Sequence, residues 1–280
     1  MNDARRERAY QAGARVARER MGAEAPADVE ALTAVEASDI IVVRGVYDHV
    51  EVVLAALDLP HQAVDPEDLW TLSLRPEQLL VVNCPGQVDR RSIVQIREFV
   101  GGGGSLFTTD WALRHVVEAA FPGVLAYNER PTADDVVRME VVDGDNRFLQ
   151  GVMEPGDDPQ WWLEGSSYPI RILDPGRVRV LLASRQLAEQ WGESPVAVVF
   201  NHGEGEVLHM ISHYYLQRTE ARNARHRADA SAYAAEKGVA AAADLVGLTL
   251  GEVESASTSA RLFANVVADK KRRGGAPLVP

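Results

Sequence analysis

The sequence predicts an α/β fold: a mostly parallel central sheet with helices on its faces, followed by a helical extension at the C-terminus. Three observations carry that expectation. Continuous apolar, β-branched runs at DIIVVRG (39–45) and LLVVNC (79–84) read as strands buried on both faces. Between and after them come stretches with apolar residues at helical spacing, such as YDHVEVVLAALD (47–58) and RRSIVQIREFV (90–100). The connections are short, and strand–helix alternation with short connections calls for parallel pairing.

The elements follow in order. Residues 3–21, DARRERAYQAGARVARERM, are rich in helix formers, with Gly13 weakening the middle and only a thin apolar stripe (Tyr10, Ala14, Ala17, Met21) to dock with. A Pro/Ala/Glu stretch leads to the first strand, and a short strand near 61–64 follows the first core helix. Pro85-Gly86 stops the strand at 79–84, and four glycines (101–104) turn the chain into SLFTT (105–109). WALRHVVEAAF (111–121) is the next helix, ended by Pro122-Gly123. From about residue 133 the pattern becomes strand-rich and irregular, through QWWLEGSSYPI (160–170) and RVRVLLAS (177–184). PVAVVFNHGEGEVLHMIS (195–212) reads as two strands joined at Gly203-Glu204-Gly205, a hairpin turn and not a nucleotide loop. Residues 216–238 and 255–273 read as tail helices polar enough to be partly exposed. The segments are therefore an N-terminal helical arm (1–37), an α/β domain (38–215) and a C-terminal extension (216–280).

Composition narrows the function classes. The 280 residues are 46% hydrophobic, enough for a full core, and the net charge of −12 argues against a phosphate-backbone binder, despite basic residues near both termini. One cysteine, Cys84, excludes an intramolecular disulfide framework and suits a reducing compartment. No apolar run approaches the roughly 20 residues of a membrane span and no secretory leader is recognisable, so a cytoplasmic protein without membrane or nucleic-acid partners is expected.

Candidate chemistry clusters at strand ends. Asp110 stands at the strand–helix elbow of GSLFTTDW; it reads either as an acid–base or binding carboxylate or as an N-cap for the helix at Trp111. Cys84 lies before a proline, away from the elbow, and reads as a buried small residue or, if reactive, as a pocket thiol beside Asn83 and Gln87. His213 ends the last strand. His209 and His213 would lie about 13 Å apart along an extended strand, too far for one zinc, so no metal and no cofactor is expected. Trp161 and Trp162 cannot both face the core of a strand, so one packs inside while the other covers an edge or meets a partner. In the last helix Leu262, Phe263, Val266 and Val267 form an apolar stripe that suggests oligomerisation or docking of another protein. Glu220, Arg222, Arg225, His226 and Arg227 read as a solvated charged face.

The order of pieces (a strand ending in NCPG, a helix, GGGSLFTTD at an elbow, and much later VLHMIS ending in His213) resembles the class I glutamine amidotransferase-like superfamily over residues 38–215. That resemblance implies a flavodoxin-like three-layer sandwich. It also implies a cysteine at the elbow, a histidine after the last core strand, and a glutamate two residues further on. Carried over, those positions are Asp110, His213 and Tyr215, and the turn shaping the oxyanion side is Pro85-Gly86. Histidine and turn match; nucleophile and orienting carboxylate do not, and a carboxylate cannot replace a thiolate in attacking an amide. The chain also looks like the cysteine-less, trehalose-utilisation-type (ThuA-like) members. Two functions are consistent with this: a non-catalytic ligand-binding or assembly module with Cys84, Pro85, Gly86, Trp111 and Tyr215 around its pocket, or a hydrolase- or isomerase-like enzyme using Asp110 and His213 as an acid–base pair on a small carbohydrate or amide metabolite.

Overall fold

An eight-stranded sheet runs through the computed structural model, which describes residues 3–215 and 218–275. The strands are β1 (Ile40–Val43), β2 (Gln62–Val64), β3 (Leu79–Val82), β4 (Ser105–Thr109), β5 (Leu125–Tyr127), β6 (Asp135–Arg138), β7 (Glu140–Val141), β8 (Gln160–Leu163), β9 (Ile170–Ile172), β10 (Val178–Ala183), β11 (Pro195–His202) and β12 (Gly205–Met210). The main sheet has the order β2-β1-β3-β4-β12-β11-β10-β7. Pairing is parallel from β2 to β12 and antiparallel beyond, where the hairpin at Gly203 turns β11 back on β12. Strands β5 and β9, and β6 and β8, form two further antiparallel pairs. Every residue of β1, β3 and β4 is buried, as a strand covered on both faces requires.

The helices are α1 (Asp3–Glu24), α2 (Pro26–Thr33), α3 (Val50–Ala56), α4 (Arg90–Gly101), α5 (Glu118–Ala120), α6 (Arg185–Trp191), α7 (Ala230–Glu236) and α8 (Leu250–Gly275). Asp89 starts α4 by accepting from Arg91 N at 2.6 Å and Ser92 N at 3.1 Å. The segment after the elbow winds as a π-type turn over Leu113–Val117 before α5. The result is a three-layer α/β sandwich. Residues from the N-terminal arm, the α/β domain and the C-terminal extension, among them Tyr10, Phe107 and Phe263, share one apolar core.

Helix α8 departs from the sequence expectation. From Leu250 to Lys270 it is buried on every side, although it carries Glu252, Glu254, Arg261 and Asp269. Several of its polar groups are partnered: Thr258 donates to Glu254 O (2.8 Å), Arg261 pairs with Glu24 (2.9 Å) and Glu254 with Arg225 (2.8 Å). Leu262, Phe263 and Val266 therefore belong to this chain's own core and offer a partner no surface; Phe263 packs edge-on to Phe107 with centroids 5.3 Å apart. Helix α1 crosses α8 at Gly13, where an added Cβ would lie 2.6 Å from Ser257 N. The glycine that weakens α1 in isolation lets two backbones meet.

The predicted helix over 216–238 is also corrected. Residues 216–217 lie outside the described residues, as do 1–2 and 276–280, and of the remainder only α7 is helical. Residues 221–229 run as turns tied down by their side chains. Arg222 donates to Val136 O (2.7 Å), and His226, buried, contacts Gln160 through Nδ1 (3.0 Å). Neither Arg225 nor His226 is part of a solvated face. No helix among the described residues is long and apolar enough to cross a membrane.

Candidate functional site

Parallel pairing brings three strand ends to one edge of the sheet. Val82 of β3 pairs with Thr108 of β4, and Thr109 of β4 with Met210 of β12, so Cys84, Asp110 and His213 all emerge together. Cys84 N donates to Thr109 Oγ1 at 3.1 Å and Asp110 N to Met210 O at 2.8 Å, which fixes both backbones against β4 and β12.

Asp110 has φ +44°, a left-handed conformation that costs a non-glycine residue roughly 1–3 kcal/mol and that marks a sharp elbow. Its carboxylate does not cap the following helix, contrary to one of the two sequence readings. It reaches instead to the loop after β8, accepting from Tyr168 N and Ser167 Oγ, each at 2.8 Å. Behind the elbow, Gly86 (φ +69°) leaves no room for a side chain, since a Cβ there would lie 2.7 Å from Ala112 Cβ. Pro85 O is 2.7 Å from His115 Nδ1.

His213 is buried between two carboxylates: Nε2 lies 3.3 Å from Asp110 Oδ2 and Nδ1 lies 3.0 Å from Glu164 Oε2. These are ion-pair contacts; neither nitrogen has an aligned hydrogen bond. Burial disfavours the imidazolium, yet Asp110, Cys84 and Glu164 together outweigh it and hold His213 protonated well above its ordinary range. Burial pushes the Asp110 carboxyl up, against the pull of His213, Tyr168 N–H and Ser167 Oγ. We assign the pair's charge separation to His213⁺ and Asp110⁻, because Asp110 accepts from two donors. Burial also pushes the Cys84 thiol up to about 11, with His213 and the Trp111 backbone N–H acting in the other direction.

The atoms of Cys84, Asp110 and His213 that could ligate an ion all lie within 4.8 Å of one another. They form the floor of a pocket of about 220 Å³ walled by Tyr47, Trp111 and Glu164. Trp111 is held by Nε1 donating to Ser166 O (2.6 Å), and it stacks on Tyr168 at 5.5 Å. A larger groove of about 460 Å³ lies between α1 and α3, walled by Tyr10, Val52, Ala55 and Ala56 as well as the Arg18–Asp58 ion pair, and it holds no comparable buried cluster.

The sequence-derived residues fall into two groups. Asp110, His213, Cys84 and Trp111 meet at the pocket; Pro85 and Gly86, expected there, do not line it, because Gly86 packs against Ala112 and Val116 and the Pro85 carbonyl faces His115. Tyr215 does not join them: its ring packs on Tyr10 at 4.7 Å, facing α1. The backbone of residues 214–215 is pinned by Asp48, which accepts from Tyr214 N (3.0 Å) and Tyr215 N (3.1 Å). Trp161 and Trp162 are both buried in the core, contrary to the expectation that one would cover an edge or meet a partner: β8 is covered on both faces, and Trp162 stands edge-on to His213 at 5.6 Å and donates to Asp134 (2.7 Å). His209 lies apart, bonded to Thr108 at 2.8 Å.

Sequence reasoning missed Glu164, which supplies the carboxylate on His213 that Tyr215 does not, and Asp48 and Ser167, which position the loops. The available signal for Glu164 was a lone acid between a buried strand and a Gly-Ser-Ser turn. Nothing local ties it to a histidine 49 positions later.

The sequence matches no protein-family model and no curated protein. Among solved structures, a glutamine amidotransferase from Thermotoga maritima is similar at a TM-score of 0.50 and 10% identity, over 83% of this chain and 97% of its own. A putative GMP synthase protein from Thermoplasma acidophilum aligns at 0.47 and 13% identity, over 65% of this chain and 86% of that one. A cold-adapted β-galactosidase from Rahnella sp. R3 aligns at 0.44 and 14% identity over 64% of this chain, which spans only 29% of that enzyme. At such identities the likeness establishes architecture alone: the fold is glutamine-amidotransferase-like.

Proposed function

We propose that this protein is a glutamine-amidotransferase-like binding module whose elbow cleft takes a small polar molecule and no longer hydrolyses glutamine. The observation that supports this most directly is the state of Asp110. The residue at the elbow is a carboxylate with both oxygens engaged by the 167–168 loop, leaving no nucleophile where an amide carbon would be attacked. The one thiol is off the elbow, and burial pushes its pKa up to about 11. At about 220 Å³ the pocket is below the roughly 300 Å³ of drug-sized sites, which suits a metabolite-sized ligand lying against Trp111 and Tyr47 with donors toward Glu164. The missing elbow cysteine supports a ThuA-like assignment within the fold, and the lone cysteine a cytoplasmic one. Self-assembly or docking of another protein would have to use surfaces other than Leu262, Phe263 and Val266.

One observation favours a second reading. His213 bridges a buried carboxylate and one that is about a third exposed at the pocket, which is the wiring of a proton relay for a hydrolase or isomerase acting on a small carbohydrate or amide. Assaying ammonia release from glutamine, alongside turnover of neutral sugars and amides, separates the readings. The binding reading predicts no glutamine hydrolysis above that of an Asp110→Asn/His213→Ala double variant. Glutamine hydrolysis lost in that variant would overturn it, and turnover of another substrate lost in both single variants would establish the relay.

A further inference from the structure

The geometry points to a mononuclear transition-metal site of the zinc type on the floor of this cleft, with Cys84 Sγ, Asp110 Oδ2 and His213 Nε2 as its three protein ligands and its fourth position open to the pocket. The inference deepens the binding reading above, since the ion would be what the small molecule meets.

Four observations carry it. The first is spacing. A tetrahedral ion with bonds of about 2.0–2.1 Å to nitrogen and oxygen separates those two ligand atoms by about 3.3 Å; His213 Nε2 and Asp110 Oδ2 are 3.3 Å apart. The Cys84 sulfur lies within 4.8 Å of a ring nitrogen of His213 and of a carboxylate oxygen of Asp110, and since the corresponding edge to a zinc-bound sulfur is about 3.6 Å, a side-chain shift of about 1 Å closes the site.

The second is the contact pattern of His213. Both ring nitrogens are buried and make ion-pair contacts without an aligned hydrogen bond, with Nε2 facing Asp110 at 3.3 Å. Buried polar atoms rarely go unpartnered, and a metal is one partner that would satisfy Nε2. The third is the surrounding shell. Glu164 sits 3.0 Å from His213 Nδ1, the carboxylate–histidine arrangement that fixes the metal-binding tautomer. Ser167 Oγ and Tyr168 N–H hold the Asp110 carboxylate.

The fourth is charge. A thiolate and a carboxylate with a neutral imidazole neutralise a dication, which is the form in which so buried a set of groups is least costly. Mixed S, N and O donors favour Zn²⁺ over the hard ions that take oxygen alone.

The test is metal titration of chelator-treated full-length protein in buffer free of thiols, using Co²⁺ as the spectroscopic probe and Zn²⁺ as competitor. Cys84 is the chain's only cysteine, so any thiolate-to-cobalt charge-transfer band must come from it. The expected result is one Co²⁺ per chain with that band, displaced by one equivalent of Zn²⁺. The band should be lost in Cys84→Ser, and affinity should fall about 10- to 100-fold in Glu164→Gln, which touches the metal only through His213. If Cys84→Ser does not fold, wild type and Glu164→Gln still decide. Absence of the band in wild type, or unchanged affinity in a folded Glu164→Gln protein, overturns the site. Absence of the band with an organic adduct on the protein would overturn the metal and leave the binding reading; metal uptake with the band and no organic ligand would do the reverse.

Discussion

His213 and Asp110 face each other across 3.3 Å, from the ends of neighbouring parallel strands, with both side chains out of water. The carboxylate also holds the 167–168 loop, so it has two structural tasks as well as any chemical one. Removing one partner of a buried pair leaves the other charged and unpaired, which costs about 3–5 kcal/mol. Asp110→Ala is therefore expected to lower the unfolding free energy by that amount in a urea titration, partly offset by relief of the φ +44° backbone. A loss under about 1 kcal/mol would mean that the pair is not charged in the native protein.

Gly13 gives a prediction opposite to helix propensity. Alanine is the better helix former by about 1 kcal/mol, but its Cβ would meet Ser257 N at 2.6 Å and Ala256 Cβ at 2.7 Å. Gly13→Ala should destabilise by about 1–3 kcal/mol, since the backbones must part. Thermal melting of the variant checks the sign, and a raised midpoint would contradict the α1–α8 crossing.

His209 sets an acid limit. It is fully buried against Thr108, and burial lowers its pKa to about 3, from the 6.5 of an exposed imidazole. The unfolded chain binds a proton at this position between those values and the folded chain does not. Its contribution to stability is thus complete above about pH 6.5 and is lost as pH falls toward 3, at about 1.4 kcal/mol per unit. Unfolding free energies measured from pH 6.5 to 4 should show this slope, and His209→Gln should flatten it by that amount.

Much of the sheet was legible because strands buried on both faces appear as unbroken apolar runs. The order of Pro85-Gly86, Asp110 and His213 located the elbow and the strand ends. The floor of the site was less legible. Cys84 reads locally as a small residue before a proline, and only the β3–β4 register sets it beside Asp110. Glu164 arrives from a loop outside the alternating pattern. Helix α8 misled for a different reason: hydropathy counts polar residues but not their partners, and Glu254, Thr258 and Arg261 are buried because Arg225, a backbone carbonyl and Glu24 wait for them. The Arg-rich stretch at 221–229 has good helix formers, yet tertiary contacts of Arg222 and His226 hold it in turns.

Whether the elbow cleft is a working small-molecule site is decided most directly by native mass spectrometry of the protein purified gently from its own host, beside the Asp110→Asn/His213→Ala variant. A small organic adduct is predicted on wild type and not on the folded variant. Wild type and variant carrying identical masses, apart from the substitutions, would contradict it.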